Sequence, residues 1–474
     1  MRRTLLSFAL VCSLVGGGHG LAQSPASPSS LATSLRSTLA SSPIPDARWS
    51  VVVIEASSGR ALFAEGDTVA LNPASNTKLL TAAAALSLLG PSRTFDTTVH
   101  ATQEGAIARE LVLRGGGDPS LRASDLDELA AGLWGAGVRT VQGDLGLDDS
   151  RFGAEHLPPA FEQQPDEDAA FRAAVSALSI DENALTLTVR GDGEGTRCAA
   201  WSSPLDATEV SSDAVVGRAS LTIRTTLRDD GRTLATLTGR CAPGVSTYRR
   251  RIHEPTRTAG HAFVAALRRR GIAFTGTLVV GAGSTRSPAL ATHTSPPLSA
   301  LLYEVGKDSN NFTAEMTLLA IGANGTHGTT FAQSCDRVLG WARAQGIDPG
   351  GMVLRNGSGL FDANRMSARQ LAQVLRAAWR DPAIRDEYIA QLAVGGADGT
   401  LRARLNTPGA PRVVRAKTGT LDDAVALSGY VLTRDPSRTL IFSVLANGVR
   451  GRTEEARRRA DAIVTELVRF TRGR

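Results

Sequence analysis

Strand-like sequence lies at both ends of this chain. Near the N-terminus, Trp49 to Ala56 and Ala61 to Ala64 flank a Ser-Ser-Gly-Arg turn, which predicts a β-hairpin. Three more strand-like runs precede an amphipathic helix close to the C-terminus, and they cover Arg412 to Thr420, Ala424 to Thr433 and Thr439 to Asn447. Because strands must pair, this pattern predicts one five-stranded antiparallel sheet, to which both chain ends contribute, flanked by helices in an α+β fold.

Residues 92–295 separate these two parts and have a different sequence pattern. They offer short alternating or β-branched runs between Gly, Asp and Pro turns, with only two modest helical patterns. We therefore predict a discontinuous domain, residues 43–91 and 296–474, which contains the sheet and a helical subdomain. The segment 92–295 is predicted to be a mainly β insert of one or two subdomains.

The first 22 residues resemble a signal peptide. Arg2 and Arg3 precede an apolar run from Leu5 to Val15, and small residues follow at a cleavage site near Ala22. We expect a periplasmic or otherwise exported protein with no integral membrane segment after signal removal, because no other stretch approaches the length of a membrane span. Residues 23–42 are rich in Ser, Pro and Ala, which predicts a flexible lead-in.

The charge balance bears on the choice of partner. Without the two arginines of the predicted signal peptide, the chain has 50 basic and 46 acidic residues. No basic stripe interleaved with aromatic residues is present. Nucleic acid is therefore not an expected partner.

Three cysteines remain after signal removal, an odd number for an oxidising compartment. Cys198 and Cys241 flank strand-like segments of one region, and we predict that they form a disulfide. Cys335 lies in a helical apolar context that favours a buried free thiol. None of these cysteines has metal-ligand spacing, and neither a metal nor an organic cofactor is expected.

A hydroxyl and an amine lie one helical turn apart at Ser75 and Lys78. Pro73 precedes them and an apolar run, Leu79 to Leu89, follows, so Ser75 is expected in the first turn of a helix. Free N–H groups at that end attract a developing oxyanion. The pair predicts a nucleophile with a base in reach, although such spacing also fits a helix cap beside a solvated lysine.

Lysine is rare in this chain, which places its positive charge mainly on arginine. The lysines are Lys78, Lys307 and Lys417. Guanidinium keeps its proton in proteins, whereas an amine loses its proton when it is desolvated or lies near another cation. A position that needs a neutral amine cannot be arginine. Lys78 and Lys417 are therefore the first candidates for catalysis.

Two further short motifs follow in order. Ser309-Asn310-Asn311 lies on a loop between two predicted helices, Leu298 to Val305 and Phe312 to Ile321, from which polar groups can point into a cleft. Lys417-Thr418-Gly419 lies on a predicted strand. Taken alone, the first motif could be a helix cap and Gly419 a bulge.

Together, the three motifs resemble those of the penicillin-recognising serine acyl-transferases. The long gap between the first two motifs resembles the class C low-molecular-mass penicillin-binding proteins rather than a β-lactamase. Further segments carry this resemblance: Gly115-Gly116-Gly117-Asp118-Pro119, Ser176-Ala177-Leu178 and Gly357-Ser358-Gly359-Leu360. The chain departs from the family pattern at Asn310 and Asn356, where aspartate is expected.

The resemblance implies a transpeptidase-like domain and a serine D-alanyl-D-alanine carboxypeptidase or endopeptidase. Its substrates would be peptidoglycan stem peptides and cross-links, and β-lactams would inhibit it. Ser75 would be the nucleophile, Lys78 the base, and Ser309 a proton relay. Lys417 and Thr418 would hold the substrate carboxylate, and the Ser75 and Thr420 N–H groups would form an oxyanion hole. The implied substrate-binding residues are Asn311, Lys417, Thr418, Gly419 and Thr420.

Other functions remain open at this point. A serine β-lactamase would use the same motifs with an added activator of the deacylating water. A catalytically weak protein that binds peptidoglycan or β-lactams would also retain them. An unrelated hydrolase is disfavoured because no G-x-S-x-G motif is present. The balance between carboxypeptidase and endopeptidase depends on how the insert shapes the cleft.

Overall fold

The computed structural model describes residues 27–41, 44–281, 287–324, 327–407 and 411–472, and the predicted signal peptide lies outside them. The helices in these ranges are α1 (Pro28–Ala40), α2 (Thr77–Leu89), α3 (Ala123–Gly135), α4 (Pro255–Arg269), α5 (Leu298–Lys307), α6 (Asn311–Gly322), α7 (Phe331–Ala344), α8 (Ala368–Arg380), α9 (Arg385–Ala390) and α10 (Thr453–Arg472). The strands are β1 (Arg48–Glu55), β2 (Ala61–Glu65), β3 (Asp96–Glu104), β4 (Ile107–Arg114), β5 (Thr140–Val141), β6 (Leu145–Asp148), β7 (Ala184–Gly191), β8 (Ala199–Ser203), β9 (Thr208–Ser212), β10 (Val215–Val216), β11 (Thr222–Leu227), β12 (Thr233–Thr238), β13 (Arg240–Cys241), β14 (Gly244–Arg251), β15 (Ala273–Phe274), β16 (Leu278–Val280), β17 (Ala289–Thr294), β18 (Ala393–Val394), β19 (Val414–Leu421), β20 (Ala424–Val431) and β21 (Leu440–Asn447).

One antiparallel sheet joins the two ends of the chain, as predicted. Its strand order is β18-β19-β20-β21-β1-β2, and β1 pairs with β21 from Arg48 opposite Asn447 to Glu55 opposite Leu440. The predicted α+β fold is confirmed. Within the described residues the sheet has six strands rather than five, because β18 adds two residues at the edge of β19. Two residues are too few to show an alternating pattern in a sequence.

Helices cover both faces of this sheet. Side chains of β1 alternate between the faces: Val51 and Val53 pack in the cluster that includes α1 and α10, whereas Val52 and Ile54 pack in the cluster that includes α2 and α8. Every residue of β20 and β21 is buried. The sheet is therefore the middle layer of three.

Helix α1 corrects one prediction. Residues 23–42 were expected to form a flexible lead-in, but Pro28–Ala40 are helical, and Leu31, Leu35 and Leu39 are buried against the sheet and α10. The side chain of Arg459 also donates hydrogen bonds to carbonyl groups at the end of this helix. The three leucines recur every four residues, and this helical stripe outweighs the Ser- and Ala-rich composition.

Helix α2 is the centre of the helical layer. Its residues from Thr77 to Leu86 are all buried, and it packs against α5, α6, α7 and α8. The hydroxyl of Tyr388 donates to the Leu79 carbonyl at 3.0 Å, which ties α9 to the same helix. A helix that is apolar on all sides is stable only when it is enclosed in this way. The turn that directly precedes α2 is therefore attached to a firmly packed helix.

The segment 92–295 contains mostly strands. In its described part, β3, β4, β5, β6, β15, β16 and β17 form one sheet, packed with α3 and α4 around Leu126, Leu133 and Phe263. Three smaller sheets, β14-β7-β8, β11-β12-β9 and β10-β13, share a second core that includes Leu187 and Leu237. The domain boundaries remain a prediction.

No helix in the described ranges has both the length and the apolar composition that a membrane crossing requires.

The predicted disulfide between Cys198 and Cys241 is present, and Cys335 is a buried free thiol. The bridge closes a loop of 43 residues. In the chain-entropy model, such a closure stabilises the folded state by about 4 kcal/mol. We expect Cys198→Ala/Cys241→Ala to lower the free energy of unfolding of the second core by roughly that amount, as measured by urea unfolding. Cys335→Ala keeps the bridge and serves as the control. A loss below about 1 kcal/mol would contradict the prediction.

Candidate active site

The turn that carries Ser75 is a single 3-10 turn, Ala74–Asn76, directly before α2. Ala74 has a positive φ of 46°, an uncommon backbone conformation for a residue with a side chain. Two glycines hold it in place: a Cβ on Gly359 would lie 1.9 Å from the Ala74 carbonyl oxygen, and one on Gly419 would lie 3.0 Å from the Ala74 Cβ. At position 359 a Cβ would collide with the backbone, and at position 419 it would be closer than an ordinary contact, so these glycines allow the turn before α2 to pack tightly.

Ser75 and Lys78 form the hydrogen-bonded pair that the sequence predicted. The Lys78 Nζ lies 3.0 Å from Ser75 Oγ, 2.8 Å from Asn311 Oδ1 and 2.7 Å from the Ser358 carbonyl oxygen. The side chain is buried, and burial is the main cause that lowers the Lys78 pKa well below its ordinary value. The nearby Lys417 lowers this pKa further, whereas Glu315 opposes the shift. Burial and Lys417 therefore favour the neutral form of the Lys78 amine, which lies next to the Ser75 hydroxyl.

Ser309 and Lys417 form a second pair. Ser309 lies between α5 and α6 with φ of 61°, and its Oγ accepts a hydrogen bond from Lys417 Nζ at 2.8 Å. Lys417 also donates to the Thr418 carbonyl at 2.9 Å. Burial lowers the pKa of Lys417 to about 7, although Asp308 acts in the opposite direction. Near neutral pH, Lys417 is therefore partly charged.

Strand β19 forms one wall of the site. The β18 partner covers only Arg415 and Ala416, so no described strand pairs with the following stretch, residues 417–421, on that side. The hydroxyl of Thr418 donates to Thr400 Oγ1 at 2.8 Å. An open sheet edge can accept an extended peptide as an additional strand.

Asn76 ties the serine turn to this wall. Its amide group lies 2.7 Å from Ser428 Oγ, and it donates to the Lys417 carbonyl at 2.9 Å in the orientation that satisfies both neighbours. Asn76 is fully buried. The first and third motifs are thus connected through one side chain.

A cleft of about 660 Å³ opens above these groups. Ser75, Ser309, Asn311 and Thr420 line it directly. The structure thus brings together every residue of the predicted site: Ser75, Lys78, Ser309, Asn311, Lys417, Thr418, Gly419 and Thr420. The segment 92–295 also contributes to the cleft through Gln163, Gln164 and Phe171.

Lys307 lies outside the cleft. Its Nζ is 2.8 Å from Asp398 Oδ2 and 2.8 Å from the Leu392 carbonyl oxygen, which fastens the end of α5 to the segment around β18. This lysine therefore has a structural role.

The structure explains why asparagine stands at position 356. Its Nδ2 donates to the Pro159 and Leu360 carbonyls at 3.0 and 3.2 Å, and its Oδ1 accepts from the Gly359 N–H and from Asn364. The side chain is fully buried. An aspartate would offer no donor to the two carbonyls when ionised.

Asn310 also suits its surroundings. Its Oδ1 accepts the Thr313 N–H at 3.0 Å and caps α6, and its Nδ2 lies 3.5 Å from Glu304 Oε2. Burial raises the pKa of Glu304, and the carboxylates of Glu182 and Asp308 add to the shift. A third carboxylate at position 310 would add repulsion to this group, whereas the amide does not.

Sequence reasoning missed Glu315. This residue is fully buried on α6, four residues after Asn311, and its two carboxylate oxygens accept the N–H groups of Gly357 and Ser358 at 2.8 Å each. The available signal was a lone acidic residue in an otherwise apolar helix, since charged residues are rarely buried without partners.

In the described ranges, no group of three or more His, Cys, Asp or Glu side chains is arranged to hold a metal ion.

Comparisons with known proteins cover most of the chain. A family model described as D-Ala-D-Ala carboxypeptidase 3 (S13) family matches residues 31–469. The chain is 35% identical over 450 residues to a D-alanyl-D-alanine carboxypeptidase of Actinomadura sp. (strain R39), covering 89% of this chain and 81% of that protein. It is 29% identical to carboxypeptidase DacB of Mycolicibacterium smegmatis, covering 85% and 77% respectively.

Solved structures show the same fold. Penicillin binding protein 4 (dacB) from Haemophilus influenzae superposes with a TM-score of 0.78 at 22% identity, over 93% of this chain and 97% of that one. The same protein complexed with a β-lactam gives a TM-score of 0.74 at 23% identity, over the same shares of both chains.

Proposed function

The chain belongs to the D-Ala-D-Ala carboxypeptidase 3 (S13) family and is a serine carboxypeptidase that acts on peptidoglycan, and from this premise we propose the roles of its residues. Ser75 is the nucleophile, Lys78 the general base and Ser309 the proton relay. The observation that carries the proposal is the buried Lys78 amine, 3.0 Å from Ser75 Oγ. A general base must reach the proton that it takes, and this distance permits it.

Acylation begins with proton transfer. Neutral Lys78 takes the Ser75 hydroxyl proton while Ser75 Oγ attacks the carbonyl carbon between two D-alanines. The bond from that carbon to the leaving nitrogen then breaks, and the departing amine receives the proton that Lys78 took, relayed through Ser309, which leaves Lys78 neutral again. The negative charge on the carbonyl oxygen meets the N–H groups of Ser75 and Thr420. Both residues line the cleft, which supports this placement.

The third motif recognises the end of the substrate. Lys417 and Thr418 hold the terminal carboxylate, Asn311 hydrogen-bonds the peptide amide, and Gly419 lets the backbone approach. A bound carboxylate favours the charged form of Lys417, whose pKa burial otherwise lowers to about 7. Water then cleaves the acyl-enzyme and restores Ser75.

We also propose that the protein acts after export. The disulfide and the signal-like residues 1–22 support this location, because disulfides persist in oxidising compartments.

The decisive experiment is digestion of purified muropeptides by the full exported chain. We expect release of D-alanine from stems that end in D-alanyl-D-alanine. A matched stem with an amidated C-terminus should be cleaved far more slowly, because Lys417 and Thr418 then lose the carboxylate. Mass spectrometry of the products also reports any opening of cross-linked dimers.

Two results would contradict the proposal. Binding of the stem without product would identify a binding protein. Rapid and complete turnover of a chromogenic cephalosporin, without stem cleavage, would identify a β-lactamase.

A further inference from the structure

Glu315 is a buried carboxylate to which the reaction above assigns no part. Its Oε2 accepts the Gly357 N–H and its Oε1 accepts the Ser358 N–H, each at 2.8 Å. Burial raises the pKa of Glu315, but these hydrogen bonds favour the ionised form. A carboxylate enclosed in this way is costly unless it is fully bonded, so its two partners are held firmly.

The backbone that Glu315 holds also contacts the base. Ser358 uses its N–H toward Glu315 and its carbonyl toward Lys78 Nζ, at 2.7 Å. Asn311, one turn before Glu315 on α6, provides the other acceptor for Lys78 at 2.8 Å. Helix α6 therefore positions both acceptors of the Lys78 amine. It provides Asn311 directly, and it holds the Ser358 carbonyl through Glu315.

These two acceptors decide where the lone pair of Lys78 points. A neutral amine has two N–H donors and one lone pair. The Ser358 carbonyl can only accept, and Asn311 Oδ1 is turned toward Lys78 because Asn311 Nδ2 donates to the Phe171 carbonyl at 3.0 Å. When both N–H groups are used on these acceptors, the lone pair faces the third neighbour, the Ser75 hydroxyl.

We propose that Glu315 is a positioning residue for acylation, which holds the Ser358 carbonyl where it directs the Lys78 lone pair at Ser75. This inference rests on the proposed role of Lys78 as the base. The charged groups that act on Lys78 are Lys417 and Glu315. Lys78 in turn acts on Glu315. The thiol of Cys335 is also near Glu315, and both burial and Glu315 raise the pKa of this thiol.

Glu315→Gln tests the inference at constant size. The amide offers one acceptor instead of two, and its NH₂ group must face a backbone N–H. We expect the plateau rate of acylation by a fluorescent penicillin to fall about 10- to 100-fold, because small misplacements of reacting groups have effects of this size. The acid limb of the pH profile should move to lower pH, because the Lys78 ammonium loses a nearby anion.

Two further variants make the result specific. Glu315→Asp keeps the charge on a shorter side chain and provides the test if the glutamine variant does not fold. It should slow acylation while moving the acid limb less. Cys335→Ala removes a buried group beside Glu315 but touches none of the hydrogen bonds, so its rate and pH profile should match the unchanged protein. Rates are expressed per active site, by titration with excess penicillin.

An acid limb that stays in place in Glu315→Gln, with a normal rate per folded molecule, would overturn the inference and leave a purely structural role. That outcome is separable from failure of the proposed function, which would instead show as undiminished acylation in a Lys78 variant.

Discussion

We expect Lys78→Arg to abolish acylation, whereas Lys417→Arg should retain a measurable fraction of it. Arginine keeps its proton throughout the accessible pH range and cannot accept the Ser75 proton. Loss of a general base typically costs about 100- to 10,000-fold. At position 417 the substrate carboxylate still meets a cation, and a displaced charge-assisted hydrogen bond costs about 1.5 to 3 kcal/mol. The loss can exceed this range because Lys417 also helps to lower the Lys78 pKa.

The measurement is the second-order rate of penicillin acylation across pH. In the unchanged protein the rate should rise with pH as Lys78 loses its proton, at a pH far below that of an ordinary lysine, because burial and Lys417 lower its pKa. Lys78→Arg should show no such rise. Lys307→Arg is the matched control, because Lys307 pairs with Asp398 outside the cleft. This variant should be acylated at the normal rate. Equal rates in Lys78→Arg and Lys417→Arg would refute the assignment of the base.

The same variants separate binding from chemistry. Lys417 has a pKa of about 7, so its positive charge is present below that pH and is lost above it. The KM for a stem peptide should therefore increase above pH 7 in the unchanged protein. In Lys417→Arg the charge persists, and this increase should disappear.

We expect Ser75→Ala to remove the covalent adduct entirely. Ser75 combines the N-terminal turn of a buried helix with the Lys78 amine at 3.0 Å. Removing a nucleophile of this kind costs about 10⁴- to 10⁶-fold in turnover. The substitution removes the Ser75 hydroxyl and its hydrogen bond to Lys78. The loss is small, so the protein should fold normally.

Peptide mapping after labelling with a fluorescent penicillin locates the adduct. We expect the label on the peptide that contains Ser75 in the unchanged protein and no label in Ser75→Ala. Ser309→Ala provides the comparison: it keeps the nucleophile and should label the same peptide more slowly. A stable label in Ser75→Ala at any other serine would show that the nucleophile has been misassigned.

Much of the site can be predicted from the sequence, because the chemistry of the site restricts which residue types can serve there. A neutral amine cannot be supplied by arginine, so two of the few lysines in an arginine-rich chain, Lys78 and Lys417, mark the cleft. The five longer strands of the sheet are also recognisable, since each carries enough β-branched and apolar residues to show its pattern.

What the sequence hid depends on contacts between distant segments. Glu315 looks like one acidic residue in an apolar helix, and only the fold shows that it meets the backbone of Gly357 and Ser358. Strand β18 has two residues and exists because β19 offers it an edge. Helix α1 carries a leucine stripe in its sequence, but its Ser- and Ala-rich composition does not show that the sheet and α10 cover that stripe.

The pairing of β1 with β21 has a consequence for how the chain folds during its synthesis. Residue 48 meets residue 447, so the central sheet cannot close until residue 447 has been made. Contacts this distant in sequence are slow to form, whereas strands that are neighbours in sequence, such as β3 and β4, can pair earlier. Lys417 also joins the Ser75 turn only at that late stage, through its contact with Asn76. We therefore expect activity to appear only in the step that closes the sheet.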